Sequence, residues 1–289
     1  MNPARGTDDL PRGALFAILA AAAFAVMATC VKAASRGVGN EMIVFFRSAV
    51  SLAVLSPWML RRGLAAVRTT RPAGHLWRSA FGICSMYAFF YAIAHLPLAE
   101  AIVLTYSTAL FIPFIAWATL REPPSPAILL AVTVGLFGIA LIAKPSAGTL
   151  NFATLVGVAS SITAAAAMVT IRRISHTEPA ARIVFWFSAL ATLVSSVPLL
   201  WAWKTPAPHE LALLVGTGVF ATLGQLCLTR AYSLAPAARI GAFTYVAAVF
   251  GGLIGWALWN EAPDGASIAG MLLVVACCLL AGWRGPSSK

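Results

Sequence analysis

The chain has 289 residues, 60% of them hydrophobic and 10% charged, with a formal net charge of +11. Soluble domains carry roughly a quarter charged residues, so this chain lacks the polar surface to stay dissolved. Its apolar runs approach the ~20 residues that cross ~30 Å of hydrocarbon, and they are continuous rather than alternating, which argues against a β-barrel. The expected class is an all-α polytopic membrane protein. The basic excess then reads as loops beside anionic lipid, with no nucleic acid as partner.

Residues 1–11 are a polar tail containing Arg5, Asp8 and Asp9. Apolar spans are expected at 12–35, 40–60, 74–95, 98–120 and 125–144. After a Pro145–Asn151 break they resume at 151–173, 180–201, 209–233, 238–260 and 266–284, and 285–289 is a second tail. The first span is too long for a signal peptide and other spans follow it, so it reads as a mature helix. Cys30, Cys84, Cys227, Cys277 and Cys278 all lie in apolar runs without Cys-x-x-Cys spacing, so no disulfide framework is expected. Short connections make neighbouring helices antiparallel.

The ten spans divide into two halves, 12–145 and 151–284. Residues 92–124 recur 139 positions later without a gap. Ala92, Pro97 and Ala99 fall on Ala231, Pro236 and Ala238, and Thr105-Tyr106 falls on Thr244-Tyr245. Ala109, Phe111, Ile115, Trp117 and Ala118 match Ala248, Phe250, Ile254, Trp256 and Ala257, and Glu122 and Pro124 match Glu261 and Pro263. A proline, a Thr-Tyr pair, a tryptophan and a Glu-x-Pro in one register point to a duplicated half.

With the N-terminus in the cytoplasm, the inside ends hold fifteen of the 20 Lys and Arg, Arg78 among them, and the outside ends hold five. This supports N-in, C-in. Five helices per half is odd, so the second half enters the membrane upside down, with Glu122 cytoplasmic and Glu261 periplasmic. Inverted halves suit alternating access around a central cavity.

Ten spans in two halves, each with A-x-x-x-x-P-x-A, then T-Y, W-A and E-x-P, resemble the drug/metabolite transporter superfamily over nearly the whole chain. The aromatics on the candidate cavity helices look most like its amino-acid exporters, including the YddG-like aromatic amino-acid exporters. The resemblance implies a cavity lined by the third, fourth, eighth and ninth helices with parts of the first and sixth, and peripheral fifth and tenth helices. The halves differ at Glu100, which Arg239 replaces in the second copy.

Candidate site residues follow, each with a structural alternative beside the functional one. Thr105, Tyr106, Thr244 and Tyr245 read as substrate contacts or as packing with threonines bonded to their own backbone. Tyr87, Phe90 and Tyr91 share one helix face, as a stacking wall or as a core stripe. Gln225 is an amide at membrane depth, able to meet substrate or to make an interhelical bond. Arg47 lies well inside the second span, where it pairs with Glu41, snorkels outward, or faces the cavity and meets a carboxylate. Pro113 and its counterpart Gly252, with Gly251, read as matched hinges or as packing. Glu100 opens the fourth helix, either capping the helix dipole or coupling transport to protons.

Enzyme chemistry has little support. Asp8, Asp9 and Asp264 lie outside the spans, and no Walker loop, paired acidic motif, metal-ligand cluster or cofactor site is recognisable. The expected function is an inner-membrane exporter of small amphipathic metabolites, foremost amino acids with aromatic or apolar side chains. It would work as a monomer or weak homodimer in the lipid bilayer. The alternative is an intramembrane enzyme or lipid-carrier translocase, resting only on the hydrophobic body. Span centres without Asp or Glu suggest a solute running down its own gradient.

Overall fold

The structure, a computed structural model, describes residues 9–95, 107–143, 152–259 and 264–282, and every regular element among them is a helix. Glu100, Thr105, Tyr106 and Glu261 lie outside the described residues.

The first half comprises α1 (Leu10–Ala34), α2 (Asn40–Arg61), the single turn α3 (Leu64–Val67), α4 (Pro72–His95), α5 (Thr108–Leu120) and α6 (Pro126–Ala143). The second comprises α7 (Phe152–Ile174), α8 (Ala180–Ser196), the single turn α9 (Leu199–Ala202), α10 (Pro208–Leu234), α11 (Ala237–Phe243), α12 (Val246–Trp259) and α13 (Gly265–Gly282). Local chemistry sets the ends. Asp9 caps α1 by accepting from the Arg12 N–H at 3.2 Å, satisfying an amide with no intrahelical partner. Gly63 turns the chain after α2 with φ 77°, a conformation that favours glycine. Glu210 accepts from the Ala207 N–H at 2.7 Å at the start of α10.

Two expected spans are interrupted. The ninth breaks between α11 and α12 at Thr244–Tyr245. Thr244 turns its N–H and its hydroxyl back onto the Gly241 carbonyl, at 3.2 and 2.7 Å, which tightens the turn. The seventh breaks at Val197–Pro198, because proline offers no N–H to continue the ladder.

The halves pack by exchange. α1 lies along α10 as α7 lies along α4, α12 contacts α1 as α5 contacts α7, and α2 meets α10 as α8 meets α4. α2 on α8 and α6 on α13 pair a helix with its own counterpart. Each of these contacts thus has an image under one two-fold operation. The halves are inverted. The start of α1 meets the end of α10 through the Asp9 N–H on the Leu234 carbonyl, 2.9 Å. The start of α7 lies at the other end of the bundle, where Phe152 packs edge-on to Tyr91 near the end of α4.

Apolar side chains cover the outside, such as Leu60, Phe137, Leu193 and Leu279, each at least 65% exposed. Facing lipid, they gain nothing from pairing, so contacts between helices rely on close approach of small residues. At Gly138 a Cβ would stand 2.7 Å from the Gly270 carbonyl oxygen and 3.0 Å from the Leu273 Cβ. Gly138→Val is expected to destabilise the α6–α13 seam by about 1–3 kcal/mol. Phe137→Leu, on the lipid face, should stay within about 0.5 kcal/mol. Thermal denaturation in detergent checks both.

Candidate functional site

A cavity of about 200 Å³ lies between the halves. Phe24 and Met27 of α1, Arg47 of α2, and Arg78, Gly82, Met86, Phe89 and Phe90 of α4 come from the first half. Met168 of α7, Phe187 of α8 and Gln225 of α10 come from the second.

Arg78 organises it. The side chain is 2% exposed, and its guanidinium lies 3.9 Å above the Phe187 ring. Nη2 donates to Gln225 Oε1 at 3.0 Å. The guanidinium folds back over its own helix at Gly82, where a Cβ would overlap Nη1. Arg47 approaches the same ring at 5.7 Å and donates from Nη1 to the Met86 sulfur at 3.3 Å. Ring faces attract cations, and more strongly away from water. The shift of 139 that takes Ala92 to Ala231 also takes Met86 to Gln225. These two equivalent positions therefore each receive one guanidinium.

One face of the bundle is tied together near the start of α4, one turn before Arg78. Glu178, in the turn between α7 and α8, accepts from Thr69 Oγ1 at 2.7 Å and the Thr70 N–H at 3.1 Å. Its other oxygen pairs with Arg182 Nη1 at 2.8 Å, with His75 Nε2 at 3.7 Å. Arg182 also donates to the Ala66 and Ala65 carbonyls, and the Trp186 N–H to the Val67 carbonyl at 3.0 Å. The turn before α4 is thereby tied to the second half. Burial pushes the Glu178 carboxyl up, but hydrogen bonds from Arg182, Thr69 and Thr70 outweigh it and hold the carboxyl below its usual range. On the other face, Lys204 Nζ donates to the Gly37 carbonyl at 3.0 Å.

The sequence candidates are distributed unevenly. Gln225 and Arg47 are in the cavity, and Arg47 faces Phe187 and Met86. Tyr87 is one residue from Met86, with its hydroxyl buried and without a hydrogen-bond partner. Tyr91 packs on Phe152, away from Arg78. Tyr245 is fully buried, its hydroxyl on the Val132 carbonyl at 3.3 Å and its ring against Gly135. Thr244 bonds its own turn. Pro113 is buried within α5 and Gly251 and Gly252 lie within α12, which continue through them. A Cβ on Gly251 would meet nothing, and one on Gly252 would reach Met271 Cε at 2.8 Å. Arg78, counted in the sequence among loop-end cations, is the residue that reading passes over. Its signal is Gly82 one turn ahead, which leaves space for a folded-back side chain.

Two inverted helical halves enclosing a cavity with buried cations define a membrane transporter of the drug/metabolite type. The chain belongs to the EamA-like transporter family, whose pattern matches it twice, over residues 11–144 and 151–283. It is 38% identical over 275 residues to the pseudopaline exporter of Pseudomonas aeruginosa, covering 94% of this chain and 96% of that one. It is 27% identical over 238 residues to an S-adenosylmethionine uptake transporter of Rickettsia bellii, covering 82% and 81%. A crystal structure with 20% identity superposes with a TM-score of 0.80 over 93% of this chain and 96% of that chain, a likeness of fold.

Proposed function

We propose that the chain exports a small amphipathic metabolite across a bacterial inner membrane by alternating access, with N- and C-termini in the cytoplasm. The observation that carries this is the Arg78 cavity, built from matched helices of both halves near the Glu178 network. Rocking one half against the other would open the faces in turn. The outward direction is supported by the 38% identity to an exporter against 27% to an uptake transporter. Transport without catalysis is supported by the relatives' names. Those names concern pseudopaline and S-adenosylmethionine, so an aromatic amino acid is not carried over as the cargo. In this reading Pro113, Gly251 and Gly252 bend as the halves rock. The lysine and arginine count supports a cytoplasmic Glu178 face.

Proteoliposomes loaded with a soluble bacterial extract test the reading. Mass spectrometry should show a subset of metabolites leaving several-fold faster than from protein-free liposomes. Equal release of every compound would overturn it.

A further inference from the structure

The cavity's charge is unbalanced. It is lined by two guanidiniums, and among the described residues no carboxylate lies within ion-pair distance of either. Arginine stays protonated at any ordinary pH. An isolated buried cation is costly, and two that face one ring also repel each other. Gln225 accepts from Nη2 of Arg78, yet Nε and Nη1 are buried without any acceptor. Arg182 and Arg172, also partly or fully buried, are treated differently. Arg182 meets Glu178 and two backbone carbonyls, and Arg172 meets Glu122 and the Tyr232 carbonyl. Arg78 is fixed at the cavity wall by a ring and an amide, and its remaining donors are buried without an acceptor.

Taking the cavity to be the cargo site, as proposed above, we infer that the cargo carries a carboxylate, which docks on Arg78 with Arg47 as the second cation. Guanidinium donors match a carboxylate in geometry as well as charge. A phosphate fits less well, because its further oxygens need donors that Phe24, Met27, Phe89, Phe90 and Met168 do not supply. Those side chains suit an apolar body behind the charged head. Phe187 lies against both guanidiniums, and an anion that reaches them relieves their repulsion. The empty site is therefore the less stable one, and the arginines are kept for recognition rather than for the fold.

Melting of the full chain in detergent tests this with 3-phenylpropanoate, its primary amide, and chloride at matched ionic strength. The carboxylate should raise the wild-type midpoint, with an apparent affinity at least about tenfold above the amide's. Without ligand, Arg78→Gln and Arg47→Gln should melt no lower than wild type, and both should lose the preference for the carboxylate. Arg78→Lys, which keeps a point charge but not the fork, should fall between. Three results would each overturn the inference: no response to the carboxylate, equal response to the amide, or a ligand-free Arg78→Gln protein melting well below wild type, as loss of a structural strut would give. Release from extract-loaded proteoliposomes separates the two readings. Release without enrichment of carboxylates leaves an exporter and removes the carboxylate site, whereas no release removes the exporter itself.

Discussion

Glu178→Ala is expected to lower stability by about 3 kcal/mol, the low end of the about 3–5 kcal/mol that follows when one partner of a buried pair is removed. The low end applies because the network sits at the membrane face and the Arg182 side chain is 17% exposed. The Glu178 side chain itself is 0% exposed, and its loss strips acceptors from Thr69, Thr70 and Arg182 together. The turn before α4 then loses its tie to α8, and the population shifts toward opening on that face. Acid should mimic the substitution. A carboxyl held below its usual value contributes stability that is complete above the unfolded value, about 4.3 for glutamate, and is lost as pH falls from there through the folded value. Wild type should therefore lose part of its stability below about pH 4, and Glu178→Gln should lack that step. Chemical denaturation across pH measures both. An unchanged midpoint in Glu178→Ala would show that the network does not lock the face.

Gly82→Ala is the second large effect, and it separates function from stability. A Cβ there would overlap Arg78 Nη1 and stand 2.9 Å from Phe187 Cε2. The guanidinium must leave, giving up the Gln225 bond at 3.0 Å and the ring at 3.9 Å. Cargo then loses its charged contact with the displaced guanidinium, worth about 2 kcal/mol or more, roughly thirtyfold in affinity. The helix itself gains up to about 1 kcal/mol from alanine over glycine. With the lost internal contacts set against that gain, the variant should stay folded with a midpoint close to wild type, yet transport cargo roughly thirtyfold more weakly at limiting concentration. Wild-type transport with an undiminished melting midpoint would show that the position of Arg78 does not matter.

The architecture was legible in the sequence because duplication writes itself twice. Thr-Tyr, Trp-Ala and Glu-x-Pro in one register, with an odd number of spans per half, imply the inverted bundle whose contacts exchange between α1–α10 and α7–α4. The site was legible only in part. Gln225 and Arg47 stand out as polar groups in apolar runs. Arg78 does not, because it lies near the start of α4, where a cation usually reaches for water. Only the fold shows Phe187 and Gln225 arriving from the other half to hold it inside. The helix break at Thr244–Tyr245 was hidden for a similar reason. Both residue types are common in spans, and the turn is made by a local bond to Gly241.

Access to the cavity from both sides of the membrane is the central claim, and Ala164 at its wall reports on it directly. A cysteine at position 164 in an otherwise cysteine-free chain can be treated with an impermeant maleimide, in right-side-out vesicles and separately in everted ones. Labelling is expected in both preparations, slowed in both by transported cargo, with Glu178→Gln raising the rate from the Glu178 face. Labelling from one side only, unchanged by cargo and by Glu178→Gln, would contradict alternating access.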